Sequence, residues 1–332
     1  MVITKTPFRI SFFGGGTDYP QWYENHGGSV LSTTIDKYCY ITCRKLPPFF
    51  EHKHRIVYSN IENVMNYSDI KHPSVRETLK YLNYNDGLEI HHDGDLPARS
   101  GLGSSSSFTV GLLNAISALY EKFLSKKDLA EKAIYIEQNL IGENVGSQDQ
   151  IAAAYGGFNT INFFQDSTFE VTQLLLNKER LKEFHSHILF LYTGISRFAS
   201  EVAKTKINNF KLKETELKTI KNMVNEATLI LQNKNTPIKE FGDLLNESWL
   251  LKKSLSSLVS STEIDNIYNA AIKSGAYGGK LLGAGSGGFM IFIAPPEKHL
   301  AIKNSLIDYL HVPFNFDHDG SKVVLYQPDG LN

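Results

Sequence analysis

The feature that most constrains this 332-residue chain is the run Leu96-Pro-Ala-Arg-Ser-Gly-Leu-Gly-Ser-Ser-Ser-Ser-Phe108, where a glycine-rich turn leads straight into a helix. Downstream, Phe108, Leu112, Ile116 and Tyr120 recur every four residues with Gly111, Ala115 and Leu119 beside them, so an amphipathic helix begins inside the serine run. The first turn of a helix has free N–H groups and the positive end of the dipole, and glycines let the backbone approach a ligand closely. The segment therefore reads as an anion cradle suited to a nucleotide polyphosphate. No Lys follows its glycines, which disfavours the Walker pattern of P-loop NTPases.

Two other glycine segments compete for such a ligand. Gly283-x-Gly285-x-x-Gly288 has the dinucleotide-binding spacing, but that fingerprint must open a helix, and Phe289 to Ile293 reads as a strand. A backbone wall of an active site, or a tight turn, remains. Gly14-Gly15-Gly16-Thr17-Asp18 follows the strand-like run Phe8–Phe13 and offers a carboxylate and a hydroxyl, groups suited to sugar hydroxyls; alone it could equally be a plain turn.

Two carboxylates occupy unusual positions. Glu137 lies four after Ala133, three after Ile134 and three before Leu140, on the apolar stripe of a helix expected over 127–140. An isolated buried charge is costly, so Glu137 needs either a salt-bridge partner or a cation; Mg²⁺, which takes oxygen ligands, could use one Glu and a serine hydroxyl. Asp149 follows Ser147, an N-cap candidate, and so falls in the first turn of a short helix, where an ionised carboxylate is favoured. From there it could orient a hydroxyl or accept its proton.

Length predicts two domains, with a boundary near 165–185 where the composition shifts. Net charge is −1, which argues against general attraction to nucleic acid or anionic membranes. No apolar run approaches the roughly 20 residues that span a bilayer, and the N-terminus lacks an apolar signal core, so a cytoplasmic protein is expected. Cys39 and Cys43 read as reduced packing residues, and the local His/Asp clusters as strand ends and turns rather than zinc sites. Strands are expected at Phe8–Phe13, Ser29–Arg44, Ile56–Ser59, Leu88–His92, Ile188–Tyr192 and Phe289–Ile293. Helices are expected near Ser106–Leu124, over 127–140, from Ser147 to Tyr155, and through one Lys/Glu-rich region at 199–232.

Pro7-Phe-Arg-Ile-Ser-Phe-Phe-Gly-Gly-Gly-Thr-Asp-Tyr19, Pro97 to Phe108 and Leu281-Leu-Gly-Ala-Gly-Ser-Gly-Gly288 together resemble the three ordered motifs of the GHMP kinases, spanning nearly the whole chain. The resemblance implies an α+β, two-domain GHMP kinase fold. Its N-terminal domain (1–170) would be of the ribosomal protein S5 domain 2-like kind and carry the ATP loop; its C-terminal domain (171–332) would be a ferredoxin-like α/β sandwich. It implies a sugar kinase using ATP and Mg²⁺, with ATP held by Pro97, Arg99, Ser100, Gly101, Leu102, Gly103, Ser104, Ser105, Ser106 and Ser107. Ser105 and Glu137 would bind the metal. Asp149 would be the catalytic carboxylate, with Arg9 holding it ionised and helping to neutralise the moving phosphoryl group. Gly14, Gly15, Gly16, Thr17, Asp18, Gly194, Arg197, Gly283 and Gly285 would contact the substrate.

The triple glycine stands where galactokinases carry Gly-Glu-His. Together with Pro20 and Ser147-Gln-Asp-Gln150 it resembles the branch of heptose 7-phosphate kinases and of the kinase part of bifunctional fucokinases. That branch implies phosphorylation of the anomeric hydroxyl of a heptose 7-phosphate, toward GDP-heptose and surface polysaccharide, with L-fucose as the alternative acceptor. A distal phosphate needs a basic pocket, for which Arg197 and Lys37 are candidates, and Tyr58–Arg76 is the candidate adenine region. The implied partners are a sugar phosphate and ATP, with a homodimer allowed. A silent sugar sensor on the same fold is disfavoured because Asp149, Glu137 and the serines are all present.

Overall fold

The computed structural model describes residues 1–84, 86–195 and 199–328, apart from the side chains of 199–201. Its frame is a long antiparallel pair, β1 (Val2–Phe13) against β2 (Gly28–Lys45), in register from Val2↔Cys43 to Phe13↔Leu31. β2 is long enough to serve two neighbours. Cys39–Lys45 pairs with β5 (Leu88–Gly94), whose far edge takes β3 (His54–Val57) in parallel, and β4 (Ile61–Val64) pairs antiparallel with β3 beyond it. Gly28–Thr33 pairs with β6 (Phe158–Phe163), which continues to β7 (Phe169–Gln173). Both faces of the second half of β1 are buried, which is why its apolar and polar residues no longer alternate in exposure.

Helices α1 (Pro20–His26) and α2 (Pro73–Tyr81) precede α3 (Ser104–Leu119), which lies across β1 and β2. Its approach is close because residue 111 is glycine: a Cβ there would meet Thr6 Oγ1 at 2.8 Å. Next come α4 (Lys126–Tyr135), opened by a Ser125/Asp128 capping box, and α5 (Gln148–Tyr155), closed at Gly156. The expected single helix over 127–140 is instead α4 followed by a π-helical turn, Ile136–Ile141, which carries Glu137.

After α6 (Lys178–Ser186), the chain starts a second sheet with β8 (Ile188–Tyr192). The Lys/Glu-rich helical region at 199–232 is built as two helices, α7 (Ala199–Asn209) and α8 (Glu214–Gln232), parted by a 3-10 turn at Phe210–Lys213. The break turns Phe210 inward onto Tyr19 and Trp22, 5.8 and 6.1 Å between ring centroids. α9 (Ile238–Ser254) and α10 (Thr262–Lys273) follow, then β9 (Gly278–Leu281), β10 (Phe289–Ile293), α11 (His299–Ser305) and β11 (Leu310–His311), giving sheet order β11-β8-β10-β9.

A cut at 170/171 would fall inside β7. Sheet membership changes between Gln173 and Ile188, and the chain end returns to the first sheet, where β12 (Phe316–Asp317) pairs with β2 and β13 (Lys322–Tyr326) with β1. The halves also share a core: Phe12 and Phe13 of β1 meet Phe241 of α9 edge-on at 5.6 and 5.1 Å, and Phe184 of α6 joins them. Cys39 and Cys43 are buried and unbridged, and burial pushes both thiols up. No helix among the described residues is long and apolar enough to cross a membrane.

Candidate active site

A cavity of about 460 Å³ opens where β1, the 101–105 turn, the approach to α5, and helices α7 and α9 converge. Its first wall is the glycine-serine turn. Gly101 (φ +82°) packs so tightly against the third glycine segment that a Cβ would lie 2.7 Å from the Leu282 carbonyl oxygen. Gly103 (φ +74°) is the N-cap of α3 and has no side chain to satisfy the helix's first N–H groups. A Cβ on Gly103 would come within 3.3 Å of the Asp149 carboxylate, so anything laid on this helix start lies against that acid.

The structure sorts the ten residues assigned to ATP. Arg99, Gly101, Gly103, Ser104 and Ser105 line the cavity. Ser100, Leu102, Ser106 and Ser107 are buried behind it and hold the turn: Phe289 N donates to Ser100 O, Arg9 N donates to Leu102 O, and the Ser107 hydroxyl donates to Pro7 O. Pro97 is exposed and outside the cavity lining.

Arg9 and Asp149 form the pair that the motifs imply. Arg9 Nε donates to Asp149 Oδ1 at 2.7 Å and Nη2 to Oδ2 at 2.8 Å, while Nη1 donates to Gly101 O at 2.7 Å. The fork fixes the carboxylate plane and ties it to the glycine-serine turn. Asp149 sits in the first turn of α5 as expected, but the Ser147 hydroxyl makes no cap; it meets Tyr23 and accepts from Gln138.

Asp18 lies 1 % exposed beside the triple glycine, accepting from Gly16 N at 2.9 Å and from Gln148 Nε2 at 2.9 Å. Burial raises its carboxyl above the usual range, opposed by the Gly16 amide. Gly15, Gly16 and Asp18 line the cavity, whereas Gly14 and Thr17 shape the loop beneath it. Thr17 donates to Gly14 O and packs beside Ser29, and a Cβ on Gly14 would sit 1.9 Å from Ser29 O. Gly283 lines the cavity. Gly285 instead backs onto Val259, and Gly194 faces open space away from the lining. Arg197 lies outside the described residues. Lys37 is paired with Asp36 at 3.0 Å and is absent from the cavity lining, so it does not supply a distal-phosphate contact here.

Glu137 is 1 % exposed. The Ser106 hydroxyl donates to its Oε2 at 2.8 Å and Gln150 Nε2 donates to the same oxygen, while Oε1 has no partner. No ion pair reaches it among the described residues, so of the two sequence readings the salt bridge is absent. Burial pushes its carboxyl up to about 7. Ser105, paired with Glu137 in the sequence reading, faces the cavity; the hydroxyl that touches Glu137 belongs to Ser106.

Three lysines escaped the sequence reading. Lys206, Lys252 and Lys280 are 4, 6 and 4 % exposed and all line the cavity. Lys252 Nζ donates to Leu281 O and Gly283 O, each at 2.7 Å, and Lys280 Nζ to Phe12 O at 2.7 Å. Burial lowers all three, Lys206 to about 8 and Lys280 to about 7. A charge on an apolar stripe was the available signal, since Lys252 follows Ser248 and Trp249 on the buried face of α9. A smaller cavity of about 210 Å³, lined by Lys53, His54, Met65, Asn66, Tyr67 and Ser68, overlaps the candidate adenine region.

Residues 71–157 match the GHMP kinases N terminal domain and 229–311 the GHMP kinases C terminal domain. The D-glycero-alpha-D-manno-heptose 7-phosphate kinase of Campylobacter jejuni is 31% identical, covering 96% of this chain and 97% of that protein. The bifunctional fucokinase/GDP-fucose pyrophosphorylase of Arabidopsis thaliana is 24% identical over 87% of this chain and 29% of its own length. A crystal structure described as a D-glycero-D-manno-heptose 1-phosphate kinase from Bacteroides thetaiotaomicron shares the fold, with a TM-score of 0.80 at 24% identity over 98% of this chain and 99% of that one. The chain belongs to the GHMP kinase family, with its two-domain α+β fold, and is an ATP-dependent sugar kinase.

Proposed function

We propose that the protein transfers the γ-phosphoryl group of ATP to the anomeric hydroxyl of D-glycero-D-manno-heptose 7-phosphate, giving the 1,7-bisphosphate that would feed surface polysaccharide synthesis. The observation that carries the chemistry is the Arg9–Asp149 fork set against Gly103 at the start of α3. Phosphates laid on the helix N-terminus and the Ser104 and Ser105 hydroxyls put the transferring group beside Asp149. Asp149 accepts the acceptor's proton as its oxygen bonds to phosphorus; the β–γ bridging bond breaks and ADP leaves with the electron pair. Arg9 keeps Asp149 in plane and adds fixed positive charge where negative charge moves.

Glu137 would hold Mg²⁺ together with Ser106, whose hydroxyl touches it, and with Ser105 on the cavity side; the ion would supply positive charge for the phosphates, and the unpaired Glu137 Oε1 fits it. A polyol acceptor fits the other end, where Asp18 is joined by Ser11 Oγ and Gln148 Oε1, buried polar atoms with no partner. The heptose 7-phosphate assignment is supported by the Campylobacter jejuni relative. A coupled assay of ADP release with heptose 7-phosphate, free heptose, L-fucose and D-galactose tests it, with ³¹P NMR locating the new phosphate. Turnover of L-fucose with none of the heptose phosphate, or a product not phosphorylated at C1, would overturn the reading.

A further inference from the structure

We infer that Lys206 seats the phosphate the acceptor already carries, and so selects a phosphorylated sugar over a free one; this rests on the sugar-phosphate reading above. The α3 start, with Ser104 and Ser105, takes the nucleotide phosphates in the reading above. Lys206 reaches the same cavity from α7, in Coulomb range of both Asp18 and Asp149 and with its ammonium 5.6 Å from the centre of the Tyr19 ring.

Among the described residues that line the cavity, Arg9, Arg99, Lys206, Lys252 and Lys280 stand against Asp18, Glu143 and Asp149, and Asp149 is taken up by Arg9. Lys252 directs its ammonium at main-chain carbonyls of the glycine segment, tying it to α9, and Lys280 directs its own at β1, a strut between the two halves. Lys206 has no hydrogen-bond acceptor among the described residues although it is 4 % exposed and faces the cavity. A buried ammonium without an acceptor is unfavourable until a ligand supplies one, and sugar hydroxyls would leave the surplus charge uncompensated. A phosphate supplies both the acceptor oxygens and the charge. Its place one turn after Ala203, another lining residue, puts Lys206 on the cavity face of α7.

The test compares wild type with Lys206→Met and Lys206→Arg, measuring kcat and KM separately for heptose 7-phosphate, free heptose and ATP. In Lys206→Met the preference for phosphorylated over free heptose, taken as the ratio of kcat/KM values, falls by about 10- to 100-fold, the loss expected for one charge-assisted hydrogen bond. The fall lies in KM for the sugar phosphate, KM for ATP stays within about twofold, and Lys206→Arg recovers most of the preference. Should Lys206→Met not fold, Lys206→Arg alone must still shift KM for the phosphorylated acceptor more than for the free one. Equal losses on both acceptors, or a loss confined to ATP, overturn the assignment. A wild type that prefers free heptose sinks the substrate reading itself, whereas a wild-type preference that Lys206→Met preserves sinks only the seat.

Discussion

Replacing Glu137 by Gln asks whether this carboxyl is a cost that the fold carries until a cation arrives. The side chain is 1 % exposed, takes hydrogen bonds from Ser106 and Gln150 on one oxygen and none on the other. Burial moves its midpoint from an ordinary 4.5 up to about 7, so the folded chain prefers the neutral form. The stabilising contribution is therefore fully present below the unfolded midpoint, declines as pH rises toward 7, and is lost above it, about 3 kcal/mol in all. Gln keeps the shape and does not titrate. In metal-free buffer, urea unfolding curves of wild type and Glu137→Gln should diverge as pH rises from 5, the variant ending about 2–3 kcal/mol more stable at pH 8. Adding Mg²⁺ with a non-hydrolysable ATP analogue should close the gap by stabilising wild type more than the variant. A constant offset across that pH range would refute the burial argument. Equal stabilisation of both proteins by Mg²⁺ and nucleotide would remove Glu137 from the metal site.

Two further outcomes follow from the same geometry. Asp149→Ala should lower kcat by about 10²- to 10⁴-fold while MgATP still binds, read by single-turnover kinetics and equilibrium titration; near-normal turnover would exclude Asp149 as the proton acceptor. Gly14→Ala should lower the unfolding midpoint by an amount equivalent to about 2 kcal/mol or more. It places a Cβ 1.9 Å from Ser29 O at a φ of +86°, so an unshifted midpoint would mean the loop is looser than its packing indicates.

Much of the frame was legible because its signals are local. β1 and β2 announce themselves by β-rich runs, the first ended by the triple glycine and the second by Pro47-Pro48, α3 by its four-residue apolar repeat, and α5 by the Gly-Gly that closes it. Where the reading failed, the deciding partner was distant in sequence. Nothing in the Lys/Glu-rich composition of 199–232 opposes one continuous helix; the break comes from Phe210 finding Tyr19 and Trp22. β12 and β13 are two and five residues long and take their identity from pairing with strands near the opposite end of the chain. The π-helical turn that carries Glu137 likewise belongs to a buried polar contact with Ser106 and Gln150, which helical periodicity cannot foresee.

The site divides along the same line. Motif glycines were easy to find, yet only some touch the cavity, because a glycine is demanded as strongly by backbone packing, as at Gly14 against Ser29 or Gly285 against Val259, as by a ligand. The lysines were harder, although the rule that flagged Glu137 applies to them unchanged. Lys206 follows the buried Val202 and Ala203 on α7, Lys252 follows Ser248 and Trp249 on α9, and Lys280 stands in a strand buried throughout. A charged residue at an apolar position poses the question of what compensates it. For Arg9 the answer is Asp149, and for Lys252 and Lys280 it is main-chain oxygen. For Glu137 and Lys206 the described residues provide less: one carboxylate oxygen has no hydrogen-bond partner, behind the glycine-serine turn, and one ammonium on the cavity wall has no acceptor. A reaction that brings a cation to the first and a phosphate to the second would satisfy both.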